Sequence, residues 1–109
     1  MKIELLLLLI WAHFVADFLL QTDKMAINKS TSVKWLSIHV VVYTAALLVF
    51  GWKFAAINGA FHFVTDFFTS RITSRLYQQG KRHWFFVVIG FDQALHITTL
   101  VLTAHMVRL

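Results

Sequence analysis

Four long apolar stretches separated by short polar ones constrain this chain more than any other feature. They run over about residues 3–20, 35–52, 54–70 and 84–107, each close to the roughly 20 residues an α-helix needs to cross a bilayer. No proline interrupts them, and Trp35, Trp52 and Trp84 stand at their edges, where an interfacial indole belongs. A chain of 109 residues is too short for a second domain, and with 59% hydrophobic residues it cannot hide its apolar surface in one aqueous core. Charged residues make up 14%, against about 25% in soluble domains. The expected fold is therefore all-α, an integral membrane four-helix bundle in a single transmembrane domain over residues 1–109. Met1-Lys2 followed by leucines resembles the start of a signal peptide. No small-x-small cleavage site follows, and His13 and Asp17 interrupt the run, so a retained helix is expected. The absence of cysteine excludes disulfides and thiolate metal sites.

The net charge of +5 sits between the apolar segments, a pattern that fits membrane topology and anionic lipid rather than nucleic acid. Lys24, Lys29, Lys34, Arg71, Arg75, Lys81 and Arg82 fall in the connections at 21–34 and 71–83, whereas Lys2, Lys53 and Arg108 fall on the opposite side. This bias places both longer connections in the cytoplasm and both termini outside it, in a bacterial inner membrane. A tight turn at 51–53 joins the second and third spans, giving two hairpins. The halves share a motif: His13-Phe-Val-Ala-Asp17-Phe18 and His62-Phe-Val-Thr-Asp66-Phe67 differ at one position. A pseudo-twofold along the membrane normal follows if the halves arose by duplication; convergence on one binding motif is the alternative.

Ionisable residues inside membrane spans cost about 2.5–3.5 kcal/mol each on insertion scales and mark function by default. Here they are ordered. The first span carries His13 and Asp17, the third His62 and Asp66, the fourth Asp92 and His96, each an i,i+4 pair on one helix face. The second span offers His39 and, four residues on, Tyr43. The fourth span runs opposite to the first and third, and its order is reversed, so every aspartate lies nearer the cytoplasm and every histidine one turn deeper. The set occupies one layer, about 5–18 Å in from that interface. With no lysine or arginine inside the spans, three aspartates must be protonated, pair with imidazolium or bind metal. His13, Asp17, His39, His62, Asp66, Asp92 and His96 suit one or two divalent ions, zinc first. The alternative is hydrogen-bonded His–Asp glue between helices.

Gln21, Tyr43, Asn58 and Gln93 lie within a turn of these residues and are expected to orient the ligands from outside. His83, beside Lys81 and Arg82, reads as solvated, and His105 lies too far out to be a ligand. Lys24, Lys29, Ser30, Arg71 and Arg75 make a basic cytoplasmic mouth that can hold phosphate, or that serves only to set topology.

The pattern His13-x-x-x-Asp17-Phe-x-x-Gln21-Thr-Asp23, then Lys29-Ser30, His39, His62-x-x-x-Asp66 and Asp92-Gln93-x-x-His96 resembles a family of short bacterial and phage membrane proteins of unknown function. More distantly, the His/Asp layout is similar to that of inner-membrane predicted metal-dependent hydrolases, although their histidine-rich opening motif is missing. The residues themselves favour a metal-dependent hydrolase acting on a phosphoester or lipid-like substrate at the cytoplasmic leaflet. Metal would activate water and polarise the substrate, and one of Asp17, Asp66 and Asp92, if left outside the metal, would act as general base. A metal or proton transporter and a non-catalytic membrane interaction protein are the rivals. Membrane lipid is the expected partner, with no nucleic acid. A small-residue face at Ala56, Gly59 and Ala60 offers a contact for a homo-oligomer.

Overall fold

The computed structural model describes residues 1–109, which are helical with no strand. Helix α1 spans Ile3–Phe14 and passes directly into a π turn over Val15–Leu19. A short α2 (Asp23–Asn28) precedes α3 (Val33–Leu47), which ends in a 3-10 turn at Leu48–Phe50. Two long helices follow, α4 (Trp52–Gln78) and α5 (Arg82–Met106).

Local chemistry sets these boundaries. Thr22 and Ser32 have extended backbones, and their hydroxyls accept from the amides of Met25 and Trp35, capping α2 and α3. Gly51, at φ 108°, makes the turn between α3 and α4, and Gly80, at φ 70°, makes the turn after α4. The sequence reading ended the third span near Ser70 and made 71–83 a loop. Instead α4 runs on to Gln78. No glycine or proline falls between Ser70 and Gly80, and Arg71 Nη1 donates to the Phe67 carbonyl at 2.8 Å, so nothing breaks the helix there.

The long helices form a ring: α3 and α5 flank α4, while α1 packs on α5 and its π turn on α3. This leaves α1 diagonal to α4 and α3 diagonal to α5, so the two helices that share the His/Asp motif face each other across the bundle. One end of the interior is an apolar plug that includes Leu9, Leu47, Phe54, Leu100 and Ala104. The other half is polar: His13, Asp17, His39, His62, Asp66, Asp92 and His96 are all buried. The outer surface is the reverse, exposing Trp11, Phe14, Val41, Phe61, Val64, Phe68, Phe91 and Leu102. Two helices, Val33–Phe50 and Arg82–Met106, are long and apolar enough to cross a membrane. The small-residue face is divided. Gly59 is buried, and a Cβ there would strike Thr44 on α3, while Ala56 and Ala60 point outward.

A candidate metal centre

The cluster is built from one side chain pair per long helix. Asp17 lies in the middle of the π turn that continues α1, whose i→i+5 bond runs from Leu20 N to Val15 O at 2.9 Å. From there Asp17 reaches both α3 and α4. Its Oδ1 is 3.0 Å from His39 Nε2 and 3.4 Å from His62 Nε2, whereas its Oδ2 is 3.6 Å from His13 Nε2. His39 and His62 bring their Nε2 atoms to 3.1 Å of each other. Asp66 Oδ2 lies 3.5 Å from both of these nitrogens. Ligands about 2.0–2.1 Å from a tetrahedral zinc ion stand about 3.3–3.4 Å apart. Asp17 Oδ1, His39 Nε2 and His62 Nε2, 3.0–3.4 Å apart, therefore match three corners of such a site.

Two further groups adjoin it. His96 Nε2 is 3.2 Å from Asp92 Oδ1 and 3.8 Å from Asp66 Oδ1, so the Asp66 carboxylate faces the His39–His62 pair with one oxygen and His96 with the other. The donors of Asp17, His39 and His62, of His62, Asp66 and His96, and of Asp17, Asp92 and His96 each lie within 4.8 Å of one another. These buried groups have the spacing to hold a metal ion. The His62 ring is held between the Tyr43 and His96 rings, each with its centroid 4.0 Å away.

His13 stands apart from the other histidines. Its Nε2 is 2.8 Å from Gln93 Oε1, which only accepts, so the proton lies on Nε2. Its Nδ1 then accepts from the Tyr43 hydroxyl at 3.2 Å. His13 thus bridges α1, α3 and α5 through both nitrogens and falls outside the three donor groups above. Gln93 also donates to Asp92 Oδ2 at 3.0 Å, and Thr69 donates to Asp92 Oδ1 at 2.6 Å. Asn58 does not serve a ligand: its amide donates to the Phe54 carbonyl at 2.8 Å, one turn back along α4. Thr69 is the residue the sequence reading missed. Its spacing from Asp66 (i,i+3) was the available signal.

The basic mouth is rearranged. Lys29 crosses from the α2–α3 connection to place Nζ 2.9 Å from Asp66 Oδ2. The expectation of three carboxylates without a cation therefore fails, because a long side chain from a loop reaches where no span residue does. Lys24 is exposed. Arg71 lies 3.7 Å over the Phe67 ring, and with Arg75 it lines a separate hollow on the far side of α4. The continuation of α4 explains this, since each step along a helix turns about 100° and carries both arginines off the face of Ser70 and Ser74. His83 and His105 are exposed.

A cavity of about 560 Å³ leads from outside to Asp66 and Asp92, lined also by Gln21, Lys29 and Ser30. The cluster is thus closed on one side by the apolar plug and approached from the other through a polar opening.

Residues 5–109 match the model of a family described as protein of unknown function (DUF3307). The chain belongs to that family. No curated protein and no solved structure matches it. The family description names no reaction.

Asp17, Asp66 and Asp92 against Lys29 leave the cluster two negative charges in excess when its imidazoles are neutral, a balance that one divalent ion would meet.

Proposed function

We propose that this DUF3307 protein is a four-span protein of the bacterial inner membrane that binds one divalent metal, zinc first, and hydrolyses a phosphoester or lipid-like substrate reached from the cytoplasmic leaflet. The observation that carries this reading is the convergence of His39 Nε2, His62 Nε2 and Asp17 Oδ1, 3.0–3.4 Å apart, beside a cavity that reaches Asp66 and Asp92. Two imidazole nitrogens at hydrogen-bond distance from each other and from one carboxylate oxygen suit a shared cation. The membrane reading is supported by the inverted surface, apolar outside and ionisable inside, together with the two helices of spanning length.

A divalent ion in this centre supplies Lewis acidity toward the phosphoryl oxygen and makes a water more acidic. Asp92 stands at the cavity floor outside the His39–His62 pair, oriented by Thr69, Gln93 and His96. It is placed to take a proton from water as that water attacks phosphorus, and to return it to the departing oxygen when the P–O bond breaks. Transport is the weaker reading, because Leu9, Leu47, Phe54, Leu100 and Ala104 fill the end of the bundle beyond the histidines.

The test is protein purified without an affinity-tag metal, analysed for elements and assayed on phospholipids and soluble phosphoesters with and without chelator. Chelator-sensitive turnover and about one ion per chain are expected. Metal-free protein of unchanged thermal stability would overturn the reading in favour of hydrogen-bonded glue.

A further inference from the structure

The cavity over Asp66 and Asp92 has two unlike walls. On α4, Thr69, Ser70, Thr73 and Ser74 recur at i, i+1, i+4 and i+5 and set hydroxyls along one helix face for two turns. Ser70 is only 8% exposed, yet its Oγ has no hydrogen-bond partner, and neither has Gln21 Oε1. Leaving a buried hydroxyl unpartnered costs about 1–3 kcal/mol, so this wall is short of a ligand atom. Lys29 brings the cavity its cationic group.

The lining also includes Phe18 from the π turn after α1 and Phe85 and Ile89 from α5, which make an apolar side. Helices α1 and α5 are joined by the His13–Gln93 bond, and past it Phe18 and Ile89 both line the cavity. Phe18 is also part of the exposed apolar surface, so this side is continuous with the outside of the bundle. At about 560 Å³ the space is in the range of small-molecule sites.

We infer that this cavity is the headgroup site for a single-chain phosphate monoester amphiphile, with the phosphate on Lys29 and the Ser70 hydroxyl and the alkyl chain leaving between Phe18 and Ile89. The polar wall matches a phosphate, which accepts from hydroxyls and an ammonium at once. The apolar gap matches a chain that stays in lipid. The inference rests on the hydrolase reading for what becomes of the ligand, and the binding itself is tested separately.

Protein in phosphatidylcholine nanodiscs is titrated calorimetrically with hexyl phosphate, and empty discs provide the blank. Inorganic phosphate and hexyl glucoside form the other arms, and the metal content of each sample is measured. Hexyl phosphate should bind saturably, at least about tenfold tighter than either arm. Ser70→Val should weaken it at least about tenfold, while Ser70→Thr, which keeps the hydroxyl, should bind like the parent. Equal binding of inorganic phosphate would overturn the chain exit, and equal binding of hexyl glucoside the phosphate assignment. Ser70→Val that binds like the parent would overturn the hydroxyl wall. Metal-loaded protein that fails to bind hexyl phosphate sinks the headgroup site alone. Hexyl phosphate that is bound but not hydrolysed by metal-loaded protein sinks the hydrolase reading alone.

Discussion

Lys29 Nζ stands 2.9 Å from Asp66 Oδ2, the same oxygen that lies 3.5 Å from the Nε2 atoms of His39 and His62. One carboxylate oxygen is thus shared between a lysine and the place where a metal is proposed. Two unit charges about 5 Å apart at an effective dielectric of 20 repel by about 3 kcal/mol, and a divalent ion doubles that. Lys29 should therefore restrain metal affinity and at the same time hold the metal-free bundle together.

Lys29→Gln separates these two effects. Metal binding measured by equilibrium dialysis should tighten at least about tenfold. The metal-free variant should unfold more easily, by up to about 3–5 kcal/mol, because Asp66 loses its buried counter-charge. Metal affinity unchanged by the substitution would place the ion away from Asp66.

The four histidines should not respond alike. His39→Ala and His62→Ala should each abolish stoichiometric metal and its stabilisation, about 4 kcal/mol when free metal exceeds the dissociation constant a thousandfold. His13→Ala should keep the metal and lose about 1–3 kcal/mol through its bonds to Gln93 and Tyr43. Elemental analysis beside thermal melts reads both. Loss of metal in His13→Ala would return that residue to the ligand set.

Asp92→Asn should lower turnover about a hundredfold to ten-thousandfold, the usual contribution of a general base, with metal content and helicity retained. The amide keeps an oxygen for Thr69 but has no basic lone pair for water. Activity close to the parent's would remove Asp92 from the chemistry.

Reporter fusions address topology. The lysine and arginine bias predicts that a C-terminal fusion behaves as periplasmic and that one in the connection after α2 behaves as cytoplasmic. The opposite pattern would move the polar opening to the outer leaflet.

Packing beside the cluster provides a further control. Gly59→Val should cost about 1–3 kcal/mol, since its branched side chain meets Thr44, whose hydroxyl is already committed to the Val40 carbonyl at 2.7 Å. Metal content should be unaffected. A melt like the parent's would mean that α3 and α4 part more easily than their close contact implies.

Much of the arrangement was legible in the spacing of a few residues. His62 and Asp66, or Asp92 and His96, four apart in an apolar stretch, have to share a helix face, and burying those faces leaves them nowhere to go but the bundle axis. Three things were not legible. Lys29 reads as a loop charge, because sequence distance hides a reach of 37 positions to Asp66. Arg71, Thr73, Ser74 and Arg75 read as a connection because polarity was taken for irregularity, when nothing short of Gly80 stops a helix. His13 reads as the twin of His62, whereas its two nitrogens meet Tyr43 of α3 and Gln93 of α5, partners that sequence spacing does not pair with it.

The π turn at Val15–Leu19 makes the aim of Asp17 a matter of residue count. Deleting Val15 or Ala16 would restore ordinary α-helical winding and bring Asp17 to three positions from His13, turning it by about 100° against the rest of α1. Every donor would survive in the written sequence while one corner of the cage swung away from His39. A relative one residue shorter between His13 and Asp17 would keep every donor and lose their geometry.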